Sequence, residues 1–319
     1  MSMFRSDDER DRRPSVGRPP WKGARAPRSC VIDELRTELA DLLAQLLAEQ
    51  VREVDRRFLH GLMDVLDSPT LGLPHFPDTP LLLDEVLREV EPRQADILRI
   101  VERDPELVRA IWARASGPRF GSAPNDLGQA VTRVGLDEVW RIGVQGALRS
   151  LRFEVPDFQV EVTDIRRRAP VGATVTAWLA RQSRGEPYLA GLLRDVGALL
   201  IHNGTHALSR SDRVRPELVQ EVTGATHAIW SALAVGVWGL APGVAVAVGH
   251  HHVPQACPSE LRQLAELVHA GDIAAYVAVG AAGATWQAAS AALDDLVAPS
   301  RDAASILKMA GVALQTLGG

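Results

Sequence analysis

The apolar positions of this chain recur at helical spacing over most of its length. From Leu35 to Phe58 they step by three or four residues along two neighbouring stripes. This spacing predicts one long amphipathic helix over residues 31–67, with a wide apolar face. Because such a helix is not stable alone in water, the pattern also predicts a partner surface. That surface is either the rest of the chain or a second copy of it, which would make residues 31–67 a homodimer contact.

A segment rich in proline and glycine follows at residues 68–80, and helical patterns continue after it. Asp104 before Pro105 is a typical helix start, because the carboxylate caps free backbone N–H groups and proline fits the first turn. Strands do not alternate with helices, and the sequence contains no glycine-rich phosphate loop or nucleophile elbow. The sequence therefore predicts an all-α fold in three parts: an arm at 1–30, the long helix and linker at 31–71, and a multi-helix domain at 72–319.

The composition is that of a soluble globular protein, with 46% apolar and 24% charged residues and a formal net charge of −5. This balance does not indicate nucleic-acid binding. The arm at 1–30, predicted to be disordered, holds eight Lys or Arg and four Asp or Glu, so it could contact nucleic acid, although a solvated tail is the simpler interpretation. Cys30 and Cys257 form no paired motif, and the N-terminus lacks the apolar core of a signal peptide, so we expect a cytoplasmic protein.

The longest uncharged run, residues 231–249, raises the question of a membrane span. Gly239, Pro242 and Gly243 interrupt it near its middle. Because glycine and proline break helices, the run predicts two short buried helices joined by a tight turn. We therefore expect no membrane span.

Histidine and aspartate occur inside otherwise apolar helical segments at four places. They are Asp195 in LLRDVG, His227 in GATHAIWSAL, the run His250, His251 and His252 in AVGHHHVP, and Asp272 in VHAGDIAAYV. A single residue of this kind is usually a satisfied core group. Four such places in one helical half favour a shared site, and imidazole and carboxylate are ligands that divalent metals use in phosphoester hydrolysis.

Longer segments around and before these residues follow one another in a characteristic order. They include FPDTPLLLDEVLREVE, ILRIVERDPELVRAIWARASGPRFG, YLAGLLRDVGALLI and WGLAPGVAVAVGHHH. In this order the chain resembles the HD superfamily, and more specifically the HDOD branch, the HD-related output domains of bacterial signalling proteins. The resemblance extends over about residues 72–285 and implies an all-α, multi-helix HD-like domain. It also implies regulation through association with other signalling proteins rather than turnover.

Two positions depart from the pattern of catalytic HD phosphohydrolases. The name-giving His-Asp pair reads Arg194-Asp195 here, and the place of another expected histidine falls near Ala169, in a helix without histidine. A guanidinium stays protonated and cannot bind a metal. Arg194 either pairs with Asp195 in the space of a cation or points to solvent at a helix edge. The run Arg166–Arg168, upstream, is interpreted as a solvated helix start, or else as a patch for phosphate or an acidic partner.

The resemblance and its departures together imply a non-catalytic signalling protein with a degenerate active site and no cofactor. The candidate ligand or vestigial-site residues are Arg194, Asp195, His227, His250, His251, His252 and Asp272. No metal is expected; a single metal, if bound, would use Asp195, His227, His251 and Asp272. The alternatives are a weak metal-dependent phosphohydrolase acting on cyclic dinucleotides or nucleotides, and a nucleotide sensor in which Arg194 holds a phosphate.

Overall fold

The computed structural model describes residues 29–151, 158–205, 213–281, 283–296 and 301–318, and within these ranges the protein is all-α with no strand, as predicted. The helices are α1 (Ser29–Ala48), α2 (Glu53–Asp67), α3 (Thr79–Leu87), α4 (Gln94–Val101), α5 (Pro105–Ala115), α6 (Leu127–Val134), α7 (Leu136–Ser150), α8 (Gln159–Leu179), α9 (Glu186–Leu193), α10 (Val196–Gly204), α11 (Pro216–Val237), α12 (Pro242–Gly249), α13 (Ser259–Ala278), α14 (Trp286–Asp294) and α15 (Ala303–Gly318). The predicted disordered arm at 1–30 lies outside the described residues, except that Ser29 and Cys30 begin α1.

The region predicted as one N-terminal helix is divided into α1 and α2, with a break at residues 49–52. Long-range hydrogen bonds stabilise the chain conformation at this break. Arg215, just before α11, donates its backbone N–H to Asp55 Oδ1 at 3.2 Å and its Nε to Asp55 Oδ2 at 2.8 Å. Its Nη2 donates to Gln50 Oε1 at 2.5 Å. Because these partners are 160 residues or more apart in sequence, local spacing could not reveal the break.

The apolar face of α1 packs on the same chain, which is one of the two alternatives that the sequence left open. Leu35, Leu39 and Leu43 are buried against the core and α1 lies along α11. Leu35 also contacts the end of α12, since a Cβ added to Gly249 would lie 2.8 Å from its Cδ1. The N-terminal helices are therefore part of the fold, and a homodimer contact through residues 31–67 stays a prediction for the outer face alone.

Helices α8, α9 and α13 approach one another closely because glycines face the contact. A Cβ on Gly191 of α9 would lie 2.7 Å from Ala173 Cα of α8. A Cβ on Gly271 of α13 would overlap the side chain of Thr176 in α8. This close approach brings the end of α9, the middle of α8 and the middle of α13 to one place, where the candidate site lies.

The uncharged run at residues 231–249 is divided between the end of α11 and α12, with a turn between them. Gly239 in the turn has φ of 68°, in the left-handed region that glycine adopts without strain, and Pro242 begins α12. Among the described residues, no helix combines the length and apolar character that crossing a membrane requires. The turn returns the chain so that α11 and α12 lie side by side.

Candidate functional site

Arg194 sits at the junction of two short helices, as the last residue before Asp195 and α10. Its side chain is fully buried, so it does not point to solvent. Nε donates to Asp272 Oδ1 at 2.7 Å, Nη1 donates to the carbonyl of Gly191 at 2.5 Å, and Nη2 lies 3.4 Å from Asp195 Oδ2. Gly172 of α8 makes room for the guanidinium, since a Cβ there would overlap it. Arg194 therefore occupies the centre of the site and links both carboxylates.

The opposite charges of Arg194 and Asp195 stabilise each other, although both groups are buried. Burial by itself disfavours the ionised carboxylate, but Arg194 and Arg168 outweigh it and hold the pKa of Asp195 well below its usual range. Burial likewise disfavours the guanidinium, but Asp195 and Asp272 raise the pKa of Arg194 above its ordinary value. Both groups are consequently charged at neutral pH, and Asp195 is held as a carboxylate.

A second arginine, Arg168 of α8, reaches the same site. Its Nη2 lies 3.6 Å from Asp195 Oδ2, and its guanidinium carbon lies 3.9 Å from the centre of the Tyr276 ring, which is a cation–π contact. Arg166 and Arg167 are exposed, in agreement with the interpretation of the run as solvated, but Arg168 is buried. Arg168 is one helical turn before Gly172 and shares its face, but only the packing of α8 shows that this face turns inward.

Three imidazoles meet beside Asp195. The ligating nitrogens of His227, His251 and His252 all lie within 4.8 Å of one another, and His252 Nε2 is 3.0 Å from His227 Nε2. Nδ1 of His227 is 2.8 Å from the carbonyl of Thr223, and Nδ1 of His251 is 2.6 Å from that of Val248. Because a carbonyl only accepts, each neutral ring carries its proton on Nδ1, and its Nε2 lone pair faces the cluster.

His251 is the most enclosed member of this imidazole cluster. Its Nε2 is buried and has no hydrogen-bond partner among the described residues. Burial, reinforced by His252 and His227, lowers the pKa of His251 well below the usual value of 6.5. His250, in contrast, bonds the carbonyl of Val246 and does not belong to the cluster. Of the three consecutive histidines, two therefore face the site.

Two further neighbours of the site, both on α13, were not predicted from the sequence. His269 lies one turn before Asp272 and Tyr276 lies one turn after it, so helical spacing from Asp272 could have found them. The His269 ring is 6.3 Å from that of His252, and its Nδ1 is buried without a partner in the described part of the chain. Burial raises the pKa of Tyr276 to about 12, so its phenol is neutral.

The donor groups fit one divalent cation and not two. Three imidazoles whose ligating nitrogens lie within 4.8 Å of one another, two of them held by backbone carbonyls, are a typical nitrogen donor set for a single metal. Asp195 Oδ1 is 3.6 Å from His227 Nε2, within reach of the same cluster. Asp272 is bound instead to Arg194. A guanidinium between the two carboxylates takes the place of a second cation and repels one.

Solved structures of other proteins share this helical arrangement. One is a protein from Shewanella amazonensis SB2B that is provisionally named a metal-dependent phosphohydrolase, with 19% identity and a TM-score of 0.56 over 88% of this chain and 99% of that one. Another is an HDOD domain protein with unknown function from Geobacter sulfurreducens, with 16% identity and a TM-score of 0.51 over 83% of this chain and 92% of the other. At such identities the likeness shows a shared fold.

A third similar structure comes from Marinobacter aquaeolei VT8 and is provisionally named a signal transduction protein, with 21% identity and a TM-score of 0.52 over 87% of this chain and 66% of that one.

The HDOD domain model matches residues 73–254, more than half of the chain, and the chain belongs to the HDOD family, as its resemblance predicted. A comparison with curated proteins finds no match. The family match includes Asp195, His227 and the three histidines, while Asp272 and helices α13–α15 lie beyond it.

Proposed function

We propose that this protein is a non-catalytic regulator of bacterial signalling, which acts in the cytoplasm by binding other signalling proteins through its HDOD domain. The observation that carries the proposal is the buried ion pair between Arg194 and Asp272, with Asp195 beside it. Hydrolysis of a phosphoester by a two-metal site needs those carboxylates free to bind cations. Here a permanent positive charge engages them, so the site is stable without metal and has lost the ligands for turnover.

Hydrolysis assays test the absence of catalysis directly. Wild-type protein purified without chelator is assayed with a cyclic dinucleotide and with bis(4-nitrophenyl) phosphate in the presence of Mn²⁺. We expect no turnover that depends on the site. The matched variants are Arg194→His, which supplies the missing imidazole and is expected to bind more Mn²⁺, and Arg166→His, an exposed arginine that is expected to change nothing. Turnover by the wild type that His251→Ala abolishes would contradict the proposal.

Partner binding is tested by affinity purification from the native host. The chain lacking residues 1–28 is the appropriate shortened form, because α1 and α2 belong to the core and their removal would test folding instead. We expect defined signalling proteins to co-purify with the full chain and with this shortened form in equal measure. Failure of any protein to bind a correctly folded chain at near-physiological salt would count against an interaction role.

The imidazole cluster supports a second candidate function, a single-metal site with residual phosphohydrolase activity. The supporting observation is the pair of carbonyl-held rings, His227 and His251, whose Nε2 lone pairs converge. A cation held by His227, His251 and His252 would supply an acidified water. Titration with Co²⁺, followed by absorbance, tests this: His251→Ala should abolish binding, whereas His250→Ala should leave it unchanged. Equal binding by both variants, or none by the wild type, would exclude the site.

The nucleotide-sensor alternative receives less support from the geometry. Arg194 has no exposed surface, and its Nε and Nη1 already bond Asp272 and Gly191. A phosphate could reach it only if α13 moved away from α9. We therefore do not propose Arg194 as a phosphate ligand.

A further inference from the structure

An apolar groove of about 370 Å³ lies between the start of α1, the end of α11 and the start of α12, away from the imidazole cluster. Aliphatic side chains from these helices and the turn between α11 and α12 line it: Ile32, Leu233, Val237, Leu240 and Ala245. Its volume is near the lower end of ligand pockets, so the groove can take one large side chain.

Two glycines leave part of this groove bare. Gly236 of α11 and Gly239 of the turn both line it and are exposed, and no atom of the described residues lies within 4 Å of a Cβ added at either position. Beside them, Ile32 and Val237 are half-buried, so an apolar group in the groove would withdraw their remaining surface from water. Among the described residues, this surface is left uncovered.

The described part of the chain begins at the edge of the groove. Helix α1 starts at Ser29, and Ile32 lines the groove from its first turn. Trp21, the only tryptophan of the arm at residues 1–28, is separated from Ser29 by seven residues. Seven extended residues span up to about 24 Å, whereas Ile32 lies only about 5 Å along the helix from Ser29. The length of the arm therefore allows Trp21 to reach the groove.

We propose that Trp21 docks in this groove of its own chain. A tryptophan side chain buries a large apolar surface, which suits the aliphatic lining. Pro19 and Pro20 precede it, and their fixed backbone angles reduce the conformational freedom that the arm loses on docking. The inference concerns the arm and does not depend on partner binding by the HDOD domain.

The charges of the arm and of the groove edge are complementary. The arm holds eight Lys or Arg and four Asp or Glu, so it is net positive. Exposed carboxylates lie beside two lining residues: Asp33 follows Ile32 directly, and Asp67 precedes Pro69 by two positions. Opposite charges at this edge attract the arm toward the groove, while the apolar contact of the indole ring fixes where it binds.

The first test is fluorine NMR of the full chain labelled with 5-fluorotryptophan. The resonance that is missing from the Trp21→Phe variant assigns Trp21. We expect this resonance to lie away from its position in the urea-denatured chain, and to stay in place on about tenfold dilution, because a tethered arm is always at high local concentration. Coincidence with the denatured position, or a shift that changes on dilution, would overturn docking within the chain.

Two glycines of α11 locate the docking site. Gly236 lines the groove and Gly224 does not, although both are exposed and both have open space around an added Cβ. Gly236→Phe should fill the groove and move the Trp21 resonance to its denatured position, whereas Gly224→Phe should leave it unchanged. Melting temperatures confirm that both variants are folded. An unchanged resonance in Gly236→Phe would refute this groove as the site.

Limited trypsin digestion measures how firmly the arm is held. Cleavage after Lys22 should be at least about tenfold slower in the wild type than in Gly236→Phe, because the protease needs the arm released from the groove. Cleavage after Arg5, which lies 16 residues before Trp21, is the internal standard and should be equally fast in both. Equal rates after Lys22 in the two proteins would contradict the proposal.

Discussion

At the scale of single residues, the centre of this protein is a network of opposite charges removed from water. Arg194 and Arg168 face Asp195, and Arg194 also holds Asp272. Such a network contributes little net stability relative to an apolar core, because the desolvation of its members offsets their attraction. Removal of one member is strongly destabilising, since it leaves the opposite charge buried without a partner.

Arg194→Ala should therefore lower the free energy of unfolding by about 3–5 kcal/mol, because Asp272 and Asp195 lose their buried counter-charge. Urea denaturation followed by circular dichroism measures the loss. Arg109→Ala is the control: Arg109 pairs with Glu106 on the surface, where both side chains are largely exposed, and its loss should cost less than about 1 kcal/mol. Equal effects of the two substitutions would show that the buried network is not energetically distinct.

Gly172→Ala tests the space around the guanidinium. An added Cβ would overlap Arg194, so we expect a destabilisation of about 1–3 kcal/mol from overpacking. Gly224→Ala on α11 is the matched control, since no atom of the described residues lies within 4 Å of its added Cβ, and it should stabilise the helix by about 0.5–1 kcal/mol. The same denaturation experiment compares the two variants. If both substitutions change the free energy of unfolding in the same direction, Gly172 does not provide the space that Arg194 occupies.

At the scale of helices, the sequence predicted the elements that hold the site but not all of its members. Asp195, His227 and Asp272 stood out because they are polar residues in apolar helices. The sequence did not reveal Arg168, because it ends a run of three arginines that resembles a solvated helix start. Only tertiary packing decides which of these arginines turns inward. The break between α1 and α2 was hidden for a similar reason, since its hydrogen bonds join residues far apart in sequence.

Leu39→Ala tests whether α1 packs on its own chain. Leu39 is fully buried, so truncation should cost about 2–5 kcal/mol in the free energy of unfolding, whereas Leu42→Ala at a half-buried position of the same helix should cost less. If the face packs within one chain, the melting temperature of the variant is independent of protein concentration. A melting temperature that rises with concentration would instead indicate that a second copy covers this face.

At the scale of the whole molecule, buried neutral histidines make stability depend on pH. His202 packs on Phe158 with ring centres 4.8 Å apart, and burial lowers its pKa below the usual 6.5. His251 is shifted further in the same direction. As the pH falls through the usual value, these imidazoles take up protons in the unfolded chain and not in the folded one, so acid favours unfolding.

The melting temperature in the presence of chelator should therefore fall as the pH is lowered from about 7.5 to about 5.5. Asp195 does not contribute in this pH window. The ordinary pKa of its carboxyl is 3.8 and the fold lowers that pKa further, so the group is ionised in both states. His202→Gln should reduce the slope, since it removes one group that binds a proton only when unfolded. A melting temperature that is constant or rises on acidification would contradict this account.

The bond between Arg194 and Asp272 also limits where this domain can be cut for transfer to another protein. Asp272 lies beyond the stretch that matches the family, and α1, which packs along α11, precedes that stretch. A gene fusion cut at residues 73 and 254 would therefore carry a buried guanidinium without its Asp272 partner, and an apolar face without α1, into its new host. A segment chosen for grafting should therefore extend at least from α1 to α13.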